Sequence, residues 1–234
     1  RENILRFKKK FKSISPLICF AIKSNTNVSL VREIKKFGLG ADVVSMGELM
    51  TAIKAGISPK KIVFSGVGKT SEEIEYAINK KILLINAESE SEIKQIEKIA
   101  KLKNRKVQVG IRLNPNTDAK TLSQISTGKK ENKFGVNDKT FFQLVNYCKN
   151  SKIIDLKCLS VHIGSQIQDH KPYEKMLKSI TKILNKINYK FEFIDLGGGM
   201  GITYKSGEKK LNYKMFSKIF IIIMLFDGNN ALII

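Results

Sequence analysis

Seven short apolar runs rich in β-branched residues, at 17–22, 41–44, 62–65, 82–86, 107–113, 156–163 and 191–196, are each followed by a segment of helical period. The helical segments fall at about 27–38, 46–56, 71–81, 89–102, 138–150, 172–188 and 209–220, and a further one, 2–13, precedes the first run. Strands separated by helices in series must run parallel, with each helix crossing over the sheet, so this alternation restricts the fold more than any other feature. Seven such units behind an extra helix predict an α/β chain, a (β/α)8 TIM-type barrel with about seven of its eight strands recognisable. A doubly wound open sheet would carry its glycines after the first strand, whereas here Gly197, Gly198 and Gly199 come after the seventh. Thr70 with Glu73 three residues later resembles a capping box, and Gly38 and Gly56 follow the last residues of helices. The stretch 114–137 is too long for a plain connection, which predicts a functional or a disordered loop.

Strand alternation then assigns directions. In "LICFAIK", Ile18, Phe20 and Ile22 suit the helix-facing side, leaving Cys19, Ala21 and Lys23 inward. In "VQVGIRLN", Arg112 faces inward, and in "CLSVHIGSQ", Ser160 and His162 do. Lys23, Arg112 and His162 therefore converge at the carboxyl ends of strands one, five and six, the face where barrel enzymes keep their chemistry. The seventh strand ends in "IDLGGGMGI", where consecutive glycines let backbone N–H groups approach a phosphate. An inward lysine among apolar residues and near Arg112 has its neutral amine favoured, and so can form a Schiff base. The aldehyde cofactor that combines such a lysine with a phosphate is pyridoxal 5'-phosphate.

The chain has 234 residues, 42% hydrophobic and 27% charged, enough for one sizeable core and unlike a disordered or fibrous sequence. No stretch reads as a signal peptide and no apolar run approaches the ~20 residues of a membrane span, so a cytoplasmic protein with no membrane partner is expected. Cys19, Cys148 and Cys158 lack paired or metal-ligand spacing and are expected as reduced thiols, with no metal. The net charge of +21 raises nucleic acid as a partner. Only five of the 42 basic residues are arginine and no basic block interleaves with aromatics, so solvated helix faces are the better reading and no nucleic-acid partner is expected.

The stretches "FAIKSNTN", "GADVVSMGEL", "IVFSGVGKT", "RLNPNTDAKT…ISTGKKENKFG", "HIGSQI" and "LGGGMGITY" resemble, in order and spacing, the barrel domain of the diaminopimelate decarboxylases, fold-type III pyridoxal-phosphate enzymes of lysine biosynthesis. The resemblance runs from about residue 1 to residue 218. The lysine and "HIGS" motifs alone also fit ornithine, arginine and carboxynorspermidine decarboxylases, or a single-domain cofactor-homeostasis protein without turnover, and the long loop favours diaminopimelate.

Carried over, the resemblance implies that Lys23 holds the cofactor covalently, that His162 stacks on its ring, that Ser165 and Gly197 to Gly199 contact its phosphate, and that Asp42 and Arg112 line the pocket. Arg112 paired with Asp42 across the barrel mouth is the plain structural alternative. The activity implied is decarboxylation of meso-diaminopimelate to L-lysine, by a parent protein that is a homodimer. The family's Glu-Pro-Gly-Arg motif on strand eight, its Cys-Glu-Ser loop and its C-terminal β-domain have no counterpart here, and Leu122 stands where relatives carry histidine. The expectation is a fragment cut at both ends and inactive alone, with a barrel domain over 1–218 and an aberrant apolar tail over 219–234.

Overall fold

The computed structural model of the chain describes residues 1–117, 127–128, 134–204, 212–227 and 232–233. Helix α1 (Glu2–Lys10) leads into β1 (Cys19–Ala21), and then α2 (Val28–Lys35), β2 (Gly40–Val43), α3 (Met46–Lys54), β3 (Ile62–Phe64), α4 (Ser71–Lys80) and β4 (Leu84–Ala87) alternate. The series continues with α5 (Glu90–Leu102), β5 (Val107–Arg112), α6 (Asp138–Asn150), β6 (Ile154–Ser160), α7 (Lys171–Leu184) and β7 (Phe193–Asp195), and closes with α8 (Tyr213–Asp227) and β8 (Leu232–Ile233). The strands pair in parallel in the order β1 to β8. Among the described residues no pairing joins β8 to β1, so the expected barrel is a curled sheet with its helices outside. Strand β8 adds to the seven expected, and α8 runs from Tyr213 through Lys218 to Asp227. Most of the long loop, Leu122 included, lies outside the described residues.

Helix starts follow from short polar side chains. Asn27, Ser45, Thr70, Ser89 and Asn137 each accept a hydrogen bond from a first-turn N–H, a contact worth about 1 kcal/mol apiece. The Thr70–Glu73 capping box forms as expected. Outward strand positions such as Ala41, Ile62, Phe64, Ile85, Val109, Ile111 and Leu159 pack under the helices in one core. At its seam, α8 buries Phe216 and Phe220 against Tyr173 of α7, with ring centroids 4.9 and 5.9 Å away, and Phe220 also meets Phe11.

Inward positions form a separate apolar layer low in the barrel, where Val63, Leu84 and Cys158 pack with Leu17, Cys19 and Phe193. A register shift between Val109 and Gly110 pairs Gly110 with Cys158, so both face the interior. A Cβ on Gly110 would stand 2.0 Å from Asn86 Oδ1, which explains why a core strand carries glycine there. All three cysteines are free thiols. Burial first, then Asp42 and Asp195, holds the Cys19 thiol well above its ordinary range; burial and then Glu97 push Cys148 up to about 12. They are packing groups rather than nucleophiles.

A candidate cofactor site at the carboxyl ends of the strands

Above the apolar layer the barrel opens into a cavity of about 800 Å³. Lys23, Asp42, Arg112, His162, Ser165, Gly197, Gly198 and Gly199 all line it, so the structure brings together every site residue named from the sequence. Two of them arrive differently from the expectation. Strand β1 stops at Ala21 and Lys23 lies in the 3₁₀ turn Ile22–Ser24; His162 lies two residues past the end of β6. The inward alternation outlasts the hydrogen-bonded ladder, and both side chains still reach the mouth.

Lys23 is exposed, and among the described residues its Nζ has no hydrogen bond or ion pair. His162 is half-buried, with Nδ1 2.5 Å from the carbonyl oxygen of Gly197. Burial, then Arg112 and Lys23, push the His162 pKa down to about 3, so the ring is neutral and Nδ1–H donates to that carbonyl. Asp42 is raised to about 6 by burial first and then by Asp195, while Ser65 and Lys23 pull it back. Asp195, at the end of β7, is likewise raised by burial. Its Oδ2 accepts from Asn86 Nδ2 at 2.8 Å and from Ser160 Oγ at 2.9 Å, and its Oδ1 accepts from Gly197 N at 2.9 Å.

Arg112 does not pair with Asp42. Its Nη1 donates to Glu88 Oε1 at 2.7 Å, its Nη2 reaches the carbonyl of His162 at 3.4 Å, and its guanidinium lies 4.9 Å above the Phe134 ring. Glu88 also accepts from the backbone of Gly66 and Gly135, tying three loops together. Behind it, Lys69 is buried and donates to Gly66 O, Asn86 O and Glu92 Oε1 at 2.6, 2.8 and 2.8 Å, while Glu92 Oε2 accepts from Glu88 N at 2.7 Å. Lys69 and Arg112 balance Glu88 and Glu92, the condition under which buried charges are tolerated.

Sequence reasoning named none of Lys69, Asn86, Glu88, Glu92 or Asp195. The signal for two of them was present: Glu88 and Asp195 sit at the carboxyl ends of β4 and β7, the positions a barrel reserves for chemistry. Lys69 and Glu92 gave none, since a lysine before α4 and a glutamate in the first turn of α5 read as surface.

The glycine turn fits a phosphate. Gly197, Gly198 and Gly199 have φ of +68°, +65° and +84°. A Cβ on Gly197 would stand 2.3 Å from Val161 O and one on Gly199 2.0 Å from Gly164 O, whereas one on Gly198 would meet nothing within 4 Å. Among the described residues the N–H groups of Gly198 and Gly199 donate to no acceptor, nor has Ser165 Oγ a partner. Free backbone donors, a free hydroxyl and a free amine around one cavity suit a phosphorylated aldehyde.

Fold and site together define a barrel domain built to bind a cofactor at its open end. Residues 1–228 match the family described as "Pyridoxal-dependent decarboxylase, pyridoxal binding domain", and the chain belongs to that family. Pyridoxal 5'-phosphate, inferred above from the lysine and the glycines, is the cofactor that goes with it. The diaminopimelate decarboxylase of Helicobacter pylori strain J99 is 44% identical over 211 residues, which are 89% of this chain and 52% of that protein. The Campylobacter jejuni enzyme of the same name is 41% identical over the same shares. The crystal structure of the Helicobacter pylori diaminopimelate decarboxylase complexed with L-lysine superposes with a TM-score of 0.95 at 38% identity, covering 99% of this chain and 59% of that one. The arginine decarboxylase of Paramecium bursaria Chlorella virus, at 22% identity and a TM-score of 0.79, shares the fold. The chain thus spans about half the length of the curated relatives it matches.

Proposed function

We propose that this chain is the cofactor-binding barrel of a carboxy-lyase that converts meso-diaminopimelate to L-lysine. The single observation carrying the proposal is the meeting of a free Lys23 amine, a neutral His162 and the open glycine turn around one cavity, in a chain whose relatives bear that enzyme's name. Bound pyridoxal 5'-phosphate would supply the sink for the electron pair left when the Cα–carboxylate bond breaks. Lys23 would hold the cofactor through Nζ, release it to the substrate amine, and return a proton to the carbon that lost CO₂. The uncharged His162 ring would present a flat face without a competing positive charge, fixed by its hydrogen bond to Gly197. Gly198 N, Gly199 N and Ser165 Oγ would take the phosphate, and Asp42 would line the pocket beside them. Arg112, fixed by Glu88, would line the pocket and brace the His162 carbonyl through Nη2. On its three free thiols we assign the protein to the cytoplasm.

The test is a titration of the cofactor-loaded chain with meso-diaminopimelate, L-ornithine and L-arginine, followed by the absorbance of the bound cofactor. A spectral change with diaminopimelate at concentrations where the other two give none supports the assignment. Equal responses to all three would contradict the substrate, and no cofactor absorbance at all would contradict the site.

A further inference from the structure

The opposite end of the barrel carries a second concentration of chemistry. Between β1 and β7, the six connections that lead from a helix into the next strand (36–39, 55–61, 81–83, 103–106, 151–153 and 185–192) contain ten lysines and arginines and one acid, Glu192. A lysine-rich composition does not explain this. The helices mix signs, as in α5, where Glu90, Glu92 and Glu97 stand among Lys94, Lys98 and Lys101. Of the ten cations on this face, at the amino ends of the strands, two are paired with acids of the helices, Lys36 with Glu33 and Lys103 with Glu75.

Within that face Lys60, Lys81, Arg105 and Lys106 ring a cavity of about 270 Å³, whose remaining wall includes Ile78 and Ile82. No carboxylate lines it. Arg105 gives one N–H to Asn79 O at 3.3 Å, and Lys60, Lys81 and Lys106 have no hydrogen bond or ion pair among the described residues. Lys81 and Arg105 also complement the carbonyl end of α4, as cations at a helix C-terminus do. Lys60 and Lys106 do not serve that end; they come from the connections before β3 and β5 and meet at the same cavity. Lys81 keeps its side chain at a φ of +53°, a backbone conformation that strains a lysine and not a glycine.

We infer that this cavity is a second anion site, separate from the cofactor mouth, for a compact ligand bearing two or more phosphate groups, with its less polar part against Ile78 and Ile82. Its size lies just under the ~300 Å³ at which small-molecule sites begin, which favours a di- or triphosphate over a polymer. The inference does not rest on the decarboxylase proposal.

The test uses the full chain with its mouth saturated by pyridoxal 5'-phosphate, titrated with inorganic pyrophosphate by calorimetry at about 0.15 M ionic strength. Lys60→Ala with Lys106→Ala removes two exposed cations that hold nothing in the fold, and should weaken binding about tenfold or more, since each can give a charged hydrogen bond to the anion. The control pair Lys152→Ala with Lys190→Ala, on the same face but outside the cavity, should change it less than about twofold, and orthophosphate should bind about tenfold more weakly than pyrophosphate. The inference is overturned if both pairs weaken binding equally, which is diffuse attraction to the face, or if pyrophosphate does not bind. It is also overturned if a duplex DNA binds tightly with the cavity pair leaving that affinity unchanged.

Discussion

On one strand, β4, two inward side chains one layer apart meet opposite environments. Leu84 lies in the lower layer, packed with Val63, Cys158 and Phe193; Asn86 lies in the upper layer, where its amide joins Ser65, Ser160 and Asp195. The same two-residue period delivers both. The lower layer is held by apolar burial, whereas in the upper layer the buried charges have partners: Asp195 accepts three hydrogen bonds, and Arg112, Glu88, Lys69 and Glu92 form a balanced set. One end of the interior is made for stability and the other for chemistry, and stability is drawn on to keep the chemistry in place.

The largest effect should come from unbalancing the upper region. Lys69→Met leaves Glu92 buried without its cation and should cost about 3–5 kcal/mol in urea denaturation. A loss under about 1 kcal/mol would mean the set is solvated rather than buried. Leu84→Ala empties part of the lower layer and should cost about 3 kcal/mol, with cofactor affinity little changed, since Leu84 does not line the mouth. If affinity falls with stability, the two layers are not separable.

The smallest effect sharpens the contrast, because an upper-layer group should oppose stability at neutral pH. Asp42 titrates near 6 in the fold, above its ordinary 3.8, so the folded state holds the proton more firmly than the unfolded chain does. Stability contributed by its protonated form is present below about pH 4 and is lost as pH rises through 6. Asp42→Asn should therefore match the parent at pH 4 and exceed it by about 1–2 kcal/mol at pH 7 to 8 in the cofactor-free chain. A difference that stays constant across that range would show that Asp42 does not titrate as described. His162 works in the opposite sense, since its pKa is lowered to about 3 and its neutral form loses stability as pH falls from 6.5.

Much of this was legible because period and punctuation are local. The seven strand–helix units, the Thr70 capping box and the inward direction of Lys23, Arg112 and His162 follow from spacing, whereas Asp42 and Ser165 were carried over from the family resemblance. What the sequence did not carry was pairing across loops. Arg112 has two carboxylates to choose from, and only the fold puts Glu88, three loops' common acceptor, within 2.7 Å while Asp42 stays beside Lys23 and Asp195. A buried lysine is rare enough that Lys69 reads as surface until its three acceptors are seen. Strand β8, of two residues, is too short to show any period.

The most direct measurement of the central claim is to load the chain with pyridoxal 5'-phosphate, reduce it with borohydride, and map the labelled lysine by peptide mass spectrometry. Lys23 competes with every other lysine of a chain with 42 basic residues, so the outcome is demanding. Label concentrated on the peptide carrying Lys23, and lost from the Lys23→Ala variant without transfer elsewhere, is the result predicted here. Label spread over surface lysines in proportion to their exposure would mean that the barrel mouth is not the cofactor site.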